Sequence, residues 1–129
     1  MRLGYVILYV VDVNASVAFY ERAFGLVRRF VHESGTYAEM ETGATALAFA
    51  DEAFVAERGQ DFKPNRLASL PAGAEIALVA GDVPAAFARA TASGAIEVAS
   101  PTQKPWGQTV AYVRDRDGFL VEICTPIGG

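Results

Sequence analysis

Apolar and polar positions alternate or cluster along this chain in a pattern that repeats. Tyr5-Val6-Ile7-Leu8-Tyr9-Val10-Val11 is aromatic and branched without a breaker, which predicts a strand buried on both faces. Polar Asp12-Val13-Asn14-Ala15-Ser16 follows, then Val17, Phe19, Tyr20, Ala23 and Phe24 recur at helical spacing up to Gly25. This predicts an amphipathic helix with Asn14 or Ser16 as its N-cap and Gly25 as a left-handed stop. Strand-like runs follow over 26–32, 36–41 and 45–50, punctuated by Ser34-Gly35 and Thr42-Gly43. The first module, 4–52, therefore reads β-α-β-β-β.

Between 53 and 74 the pattern loosens. Glu52 to Arg58 suits a short helix, and Gly59, Pro64, Asn65, Pro71 and Gly73 then mark an irregular linker. The apolar strand returns at Glu75-Ile76-Ala77-Leu78-Val79, and Asp82-Val83 repeats Asp12-Val13 at the same strand-to-helix corner, with Pro84 suited to the first helical turn. After Gly94 come a strand over 96–99, a loop from Pro101 to Gly107, and two β-rich runs, Thr109 to Val113 and Phe119 to Ile123, flanking Asp115-Arg116-Asp117-Gly118. These last two form a hairpin. The second module, 75–126, repeats the first. The predicted class is α+β: one domain over 1–129, made of two tandem β-α-β-β-β modules whose curved mixed sheets surround a cleft.

Composition narrows the function. A chain of 129 residues, 52% hydrophobic, buries a substantial core without staples. A net charge of −4 with no run of Lys or Arg gives no footing for a nucleic-acid backbone. The single cysteine, Cys124, excludes an internal disulfide and suits a reducing compartment, and the N-terminal segment resembles neither a signal peptide nor a membrane span. A cytoplasmic protein is expected, without a membrane partner. One histidine, His32, supplies no catalytic triad and reads as an ordinary strand or surface residue. No phosphate-cradling glycine loop is present.

The chemistry-bearing residues are few. Alternation turns Glu122 to the face opposite Val121 and Ile123, which makes it a candidate base or ligand anchor if that face lines a cavity. Glu75, at the start of a strand, is either a solvated acid or a second group of that site. Trp106, held between Pro105 and Gly107, offers a stacking and cation–π face, or else caps the core or a dimer interface. Tyr5 is a phenolic donor or an edge aromatic. Tyr37, Phe49 and Tyr112 are aromatic walls whose alternation leaves open either the cleft or the helix-packed layer.

The segments Asp12 to Leu26, Asp82-Val83 and Arg114 to Ile123 together resemble the vicinal-oxygen-chelate superfamily, the group of glyoxalase I, bleomycin-resistance proteins, fosfomycin-resistance proteins and extradiol dioxygenases. The likeness covers nearly the whole chain and comes nearest to lactoylglutathione-lyase-like members. It implies four metal-ligand positions on the first and last strands of the modules, which fall at Tyr5, near Ala48, at Glu75 and at Glu122. Only the two acids could serve, so no complete catalytic metal site and no cofactor are expected. Bleomycin-resistance proteins are similar in carrying Pro-Trp-Gly before the equivalent strand, in lacking a catalytic metal and in binding flat drugs as dimers. The resemblance thus implies a homodimeric binder of a small, partly aromatic or cationic molecule. The alternative is a glyoxalase-like lyase or isomerase using a divalent metal, and whether any reaction is catalysed stays open.

Overall fold

The computed structural model describes residues 1–128, and the chain falls into two compact units, Met1–Asn65 and Arg66 onward. In the first, β1 (Tyr5–Val10), α1 (Val13–Phe24), β2 (Val27–Val31), β3 (Tyr37–Glu41), β4 (Ala46–Asp51) and α2 (Glu52–Glu57) build a four-stranded sheet in the order β1-β4-β3-β2. β1 runs parallel to β4, with Tyr5 opposite Ala46 and Ile7 opposite Ala48, and the other pairs are antiparallel. α1 covers one face. Its Val17 and Tyr20 are buried with Ala38, Met40 and Phe49 from the sheet, and the Tyr20 and Phe49 rings meet at 5.0 Å.

Asp12, rather than Asn14 or Ser16, is the N-cap of α1. Its backbone is extended and its carboxylate accepts the Ala15 amide at 3.0 Å, whereas Asn14 lies inside the first turn and Ser16 is buried. Such a cap contributes ~1 kcal/mol. Gly25 ends the helix as expected, at φ 68°, a left-handed value that suits a residue without Cβ. β1 departs from the expected doubly buried strand. It lies at the sheet edge, so Tyr5, Val6 and Ile7 are exposed and only Leu8 and Val10 enter the core.

The second unit repeats the topology. β5 (Glu75–Val79), α3 (Val83–Ala92), β6 (Ile96–Gln103), β7 (Thr109–Arg114) and β8 (Leu120–Cys124) form a sheet in the order β5-β8-β7-β6, with β5 parallel to β8. Asp82 caps α3 through the Ala85 amide at 3.0 Å, and Pro84 sits in the first turn. β6 continues through Pro101 to Gln103, where a loop was expected. It is an edge strand with two register shifts, positions at which a residue without an amide hydrogen is tolerated.

The β7–β8 reversal is built on Asp115, 1% exposed, whose Oδ1 accepts the amides of Asp117 and Phe119, both at 2.9 Å. The Arg114 guanidinium, at the end of β7, donates to the carbonyls of Arg66, Leu67 and Ser69 at 2.9, 3.1 and 2.7 Å, and its Nε to Gly118 O at 3.0 Å. One side chain therefore fastens the last part of the 53–74 stretch to the hairpin of its own unit.

Candidate functional site

In the second unit the alternation expected of β8 is observed. Val121 and Ile123 are buried in the core, while Glu122 stands half-buried on the other face. Its register partner on β7 is Tyr112, whose phenol donates to Glu122 Oε1 at 2.7 Å. On the other side β5 places Glu75 within hydrogen-bonding reach of Glu122. Three of the candidates read from the sequence, Glu75, Tyr112 and Glu122, thus form one cluster.

Partial burial and the neighbouring Glu122 carboxyl raise the pKa of Glu75 above the ordinary carboxylate value. The hydrogen bond to Glu122, aided by burial, pushes Tyr112 up to about 12. Cys124 is pushed up to about 11, mainly by burial, and stays a thiol at neutral pH rather than a nucleophile. Among the described residues no Lys or Arg forms an ion pair with Glu75 or Glu122. The cluster offers carboxyl oxygens to an incoming group.

Trp106 occupies the turn before β7. Its indole N–H donates to Gln108 Oε1 at 2.8 Å, and Gln108, buried, donates in turn to Thr125 O at 2.8 Å. The donor is committed while the ring stays 62% exposed. That arrangement holds an aromatic face toward solvent.

In the first unit Tyr37 and Tyr5 lie on the sheet away from α1, Tyr5 55% exposed. Phe49 is no wall of that face, because it is fully buried against Tyr20. The sheet registers clarify the comparison of units. Glu39 is opposite Ala48 as Tyr112 is opposite Glu122, and Tyr5 is opposite Ala46 as Glu75 is opposite Leu120. The first unit therefore carries its acid on β3. Glu39, nearly buried, accepts from Tyr37 at 2.8 Å and from Arg29 Nη1 at 3.0 Å, and Arg29 Nε reaches Glu41 at 2.6 Å. Burial and the Glu39 hydrogen bond push Tyr37 up to about 12, and the Arg29 guanidinium holds Glu41 below the ordinary carboxylate value. Glu39 was not singled out from sequence, although alternation in Tyr37-Ala38-Glu39-Met40-Glu41 separates it from the buried Ala38 and Met40.

The same unit holds a groove of about 530 Å³, lined by Tyr9, Tyr37 and Phe54 with His32, Arg58 and Gln60. His32, taken from sequence as an ordinary residue, is part of this wall.

The four positions that the resemblance assigns to metal ligands carry a phenol, a methyl group and two carboxyl groups, the last two linked to each other. Among the described residues no group of three or more His, Cys, Asp or Glu side chains converges as a metal site would require. This donor set does not fit a catalytic divalent ion.

The family model of the Glyoxalase/Bleomycin resistance protein/Dioxygenase superfamily matches residues 2–123, and the chain belongs to that superfamily. Among solved structures it is similar to a glyoxalase-related enzyme from Fulvimarina pelagi, at 22% identity over 98% of this chain and 88% of that one, TM-score 0.81. It is also similar to a protein of unknown function from Agrobacterium tumefaciens str. C58, at 25% identity over 98% and 94%, TM-score 0.79. A third is TioX from Micromonospora sp. ML1, at 24% identity over 97% and 98%, TM-score 0.72. These likenesses carry the fold. No curated protein matches the chain. No helix among the described residues is long and apolar enough to cross a membrane.

Proposed function

We propose that this chain binds a small, partly aromatic, cationic organic molecule and does so without a catalytic metal. The observation that supports this reading is the Glu75–Glu122 pair, ordered by Tyr112 and paired with no cation of the protein among the described residues. An amine or amidinium brought to the pair donates charge-assisted hydrogen bonds to its carboxyl oxygens. Trp106, its N–H already bonded, adds a ring for stacking or cation–π contact. The binder works as a homodimer in this reading, and light scattering tests that part as a mass of twice 13.7 kDa.

A metal-dependent glyoxalase-like lyase or isomerase is the second reading, and the two adjacent carboxyl groups favour it. It requires further donors that Tyr5 and Ala48 do not supply. Elemental analysis of the purified protein separates the two: the binder holds no stoichiometric nickel, zinc or iron, and one tightly held ion per chain would restore the lyase.

A further inference from the structure

We propose that the groove of the first unit is a separate binding site, for a planar aromatic carboxylate. It goes beyond the Glu75–Glu122 reading, since none of its residues belongs to that cluster. Its volume of about 530 Å³ lies in the range of small-molecule pockets. In a chain of net charge −4, no Asp or Glu lines it, and its chargeable groups are Arg58 and His32.

Arg58, at the C-terminal end of α2, lies 5.3 Å from the centroid of the Phe54 ring. It has no carboxylate partner among the described residues. A guanidinium placed against an aromatic ring, with its donors uncommitted, is suited to bidentate recognition of a carboxylate. Asp51, the N-cap of α2, accepts the Phe54 amide at 2.9 Å, and Glu39 is held by Arg29 and Tyr37.

His32 adds an imidazole. Its Nδ1 lies 3.1 Å from the Ser34 amide and 2.7 Å from the Ser34 hydroxyl, and with Nδ1 accepting from the amide the neutral ring offers Nε2–H as a donor. The walls supply faces rather than donors. The Tyr37 phenol is committed to Glu39, and the Tyr9 ring meets Phe62 edge-on at 5.0 Å. Aromatic faces beside an unpaired guanidinium and an imidazole donor select a flat ring bearing an anion over a flat ring alone.

The test uses 2-naphthoate and its neutral isostere 2-naphthamide, titrated into the full chain and followed by backbone amide NMR. Naphthoate is expected to shift the amides of His32, Phe54 and Arg58. Binding should weaken roughly 10- to 100-fold for naphthamide, and by a similar factor for naphthoate with Arg58→Gln. Equal affinity for amide and carboxylate, an Arg58→Gln protein that binds naphthoate as tightly, or no shift at these amides would each overturn the proposal. Arg58→Lys restores part of the affinity if the charge acts through a bound carboxylate.

Discussion

Tyr112 and Glu122 are direct partners across the β7–β8 pair, and the Tyr112 phenol donates to Glu122 Oε1 at 2.7 Å. That bond fixes one oxygen of a carboxyl group whose neighbour on the β5 side is Glu75. The same strand pair continues two residues on to Arg114 opposite Leu120, where the hairpin is closed. The rigid reversal and the acid cluster are therefore parts of one ladder.

Glu122→Gln keeps an oxygen to accept the Tyr112 phenol and removes the charge beside Glu75. Burial raises the Glu75 pKa first and the Glu122 carboxyl adds to it, so the variant should return Glu75 toward its ordinary value. The sign for stability follows. An acid with a raised folded-state pKa binds more protons folded than unfolded, so it destabilises the fold as pH rises through the interval between the two values. Relieving the pair should therefore raise the melting temperature at pH 7. Carboxyl NMR titration checks the first effect and calorimetry the second; an unchanged Glu75 titration would show that the two groups are independent.

Tyr37 and Tyr112 make an alkaline prediction. Both phenols are raised from the ordinary 10.0 to about 12, Tyr37 chiefly by burial and Tyr112 chiefly by its bond to Glu122. Below pH 10 the folded and unfolded chains both keep these protons and the contribution is complete. Between 10 and 12 the unfolded chain loses them first, so stability falls with rising pH. Urea titrations across this interval should show the fall in the wild type and a shallower one in the Tyr37→Phe, Tyr112→Phe double variant. Identical slopes would contradict the assignment.

Gly118 and Gly43 separate backbone strain from crowding. Both have positive φ, 92° and 97°, which costs an L-residue about 1–2 kcal/mol. A Cβ on Gly43 meets nothing within 4 Å, whereas one on Gly118 would lie 2.7 Å from Arg66 C and O and 2.8 Å from Arg114 Nη2. Gly118→Ala should thus exceed Gly43→Ala in cost, at roughly 2 kcal/mol or more, because it also loosens the Arg114 clamp. Urea denaturation of the two variants gives the comparison, and equal losses would mean that the clamp yields freely.

The doubled topology was legible because both Asp-Val corners cap helices and because each module carries its breakers at matching places. The outward turn of Glu122 was legible because strict alternation sets it between two buried branched residues. Other features depend on neighbours that a single segment does not disclose. The apolar run of β1 reads as doubly buried, yet the strand order leaves it at an edge. Pro101 reads as a strand terminator, yet an edge strand with register shifts admits it. Phe49 was equally compatible with either face until its partner Tyr20 was known. The groove escaped altogether: Tyr9, His32, Tyr37 and Arg58 lie on different elements, brought together by the β1-β4-β3-β2 order and by the placement of α2 after β4.

The central claim, a metal-independent cluster that anchors a cation, is tested most directly by calorimetric titration of benzamidine into chelator-treated protein. The wild type should bind in the chelator, and Glu122→Gln should bind about 10- to 100-fold more weakly, the usual effect of losing a charge-assisted hydrogen bond. Binding that vanishes on chelation and returns with nickel or zinc, or binding that Glu122→Gln leaves unchanged, would contradict it.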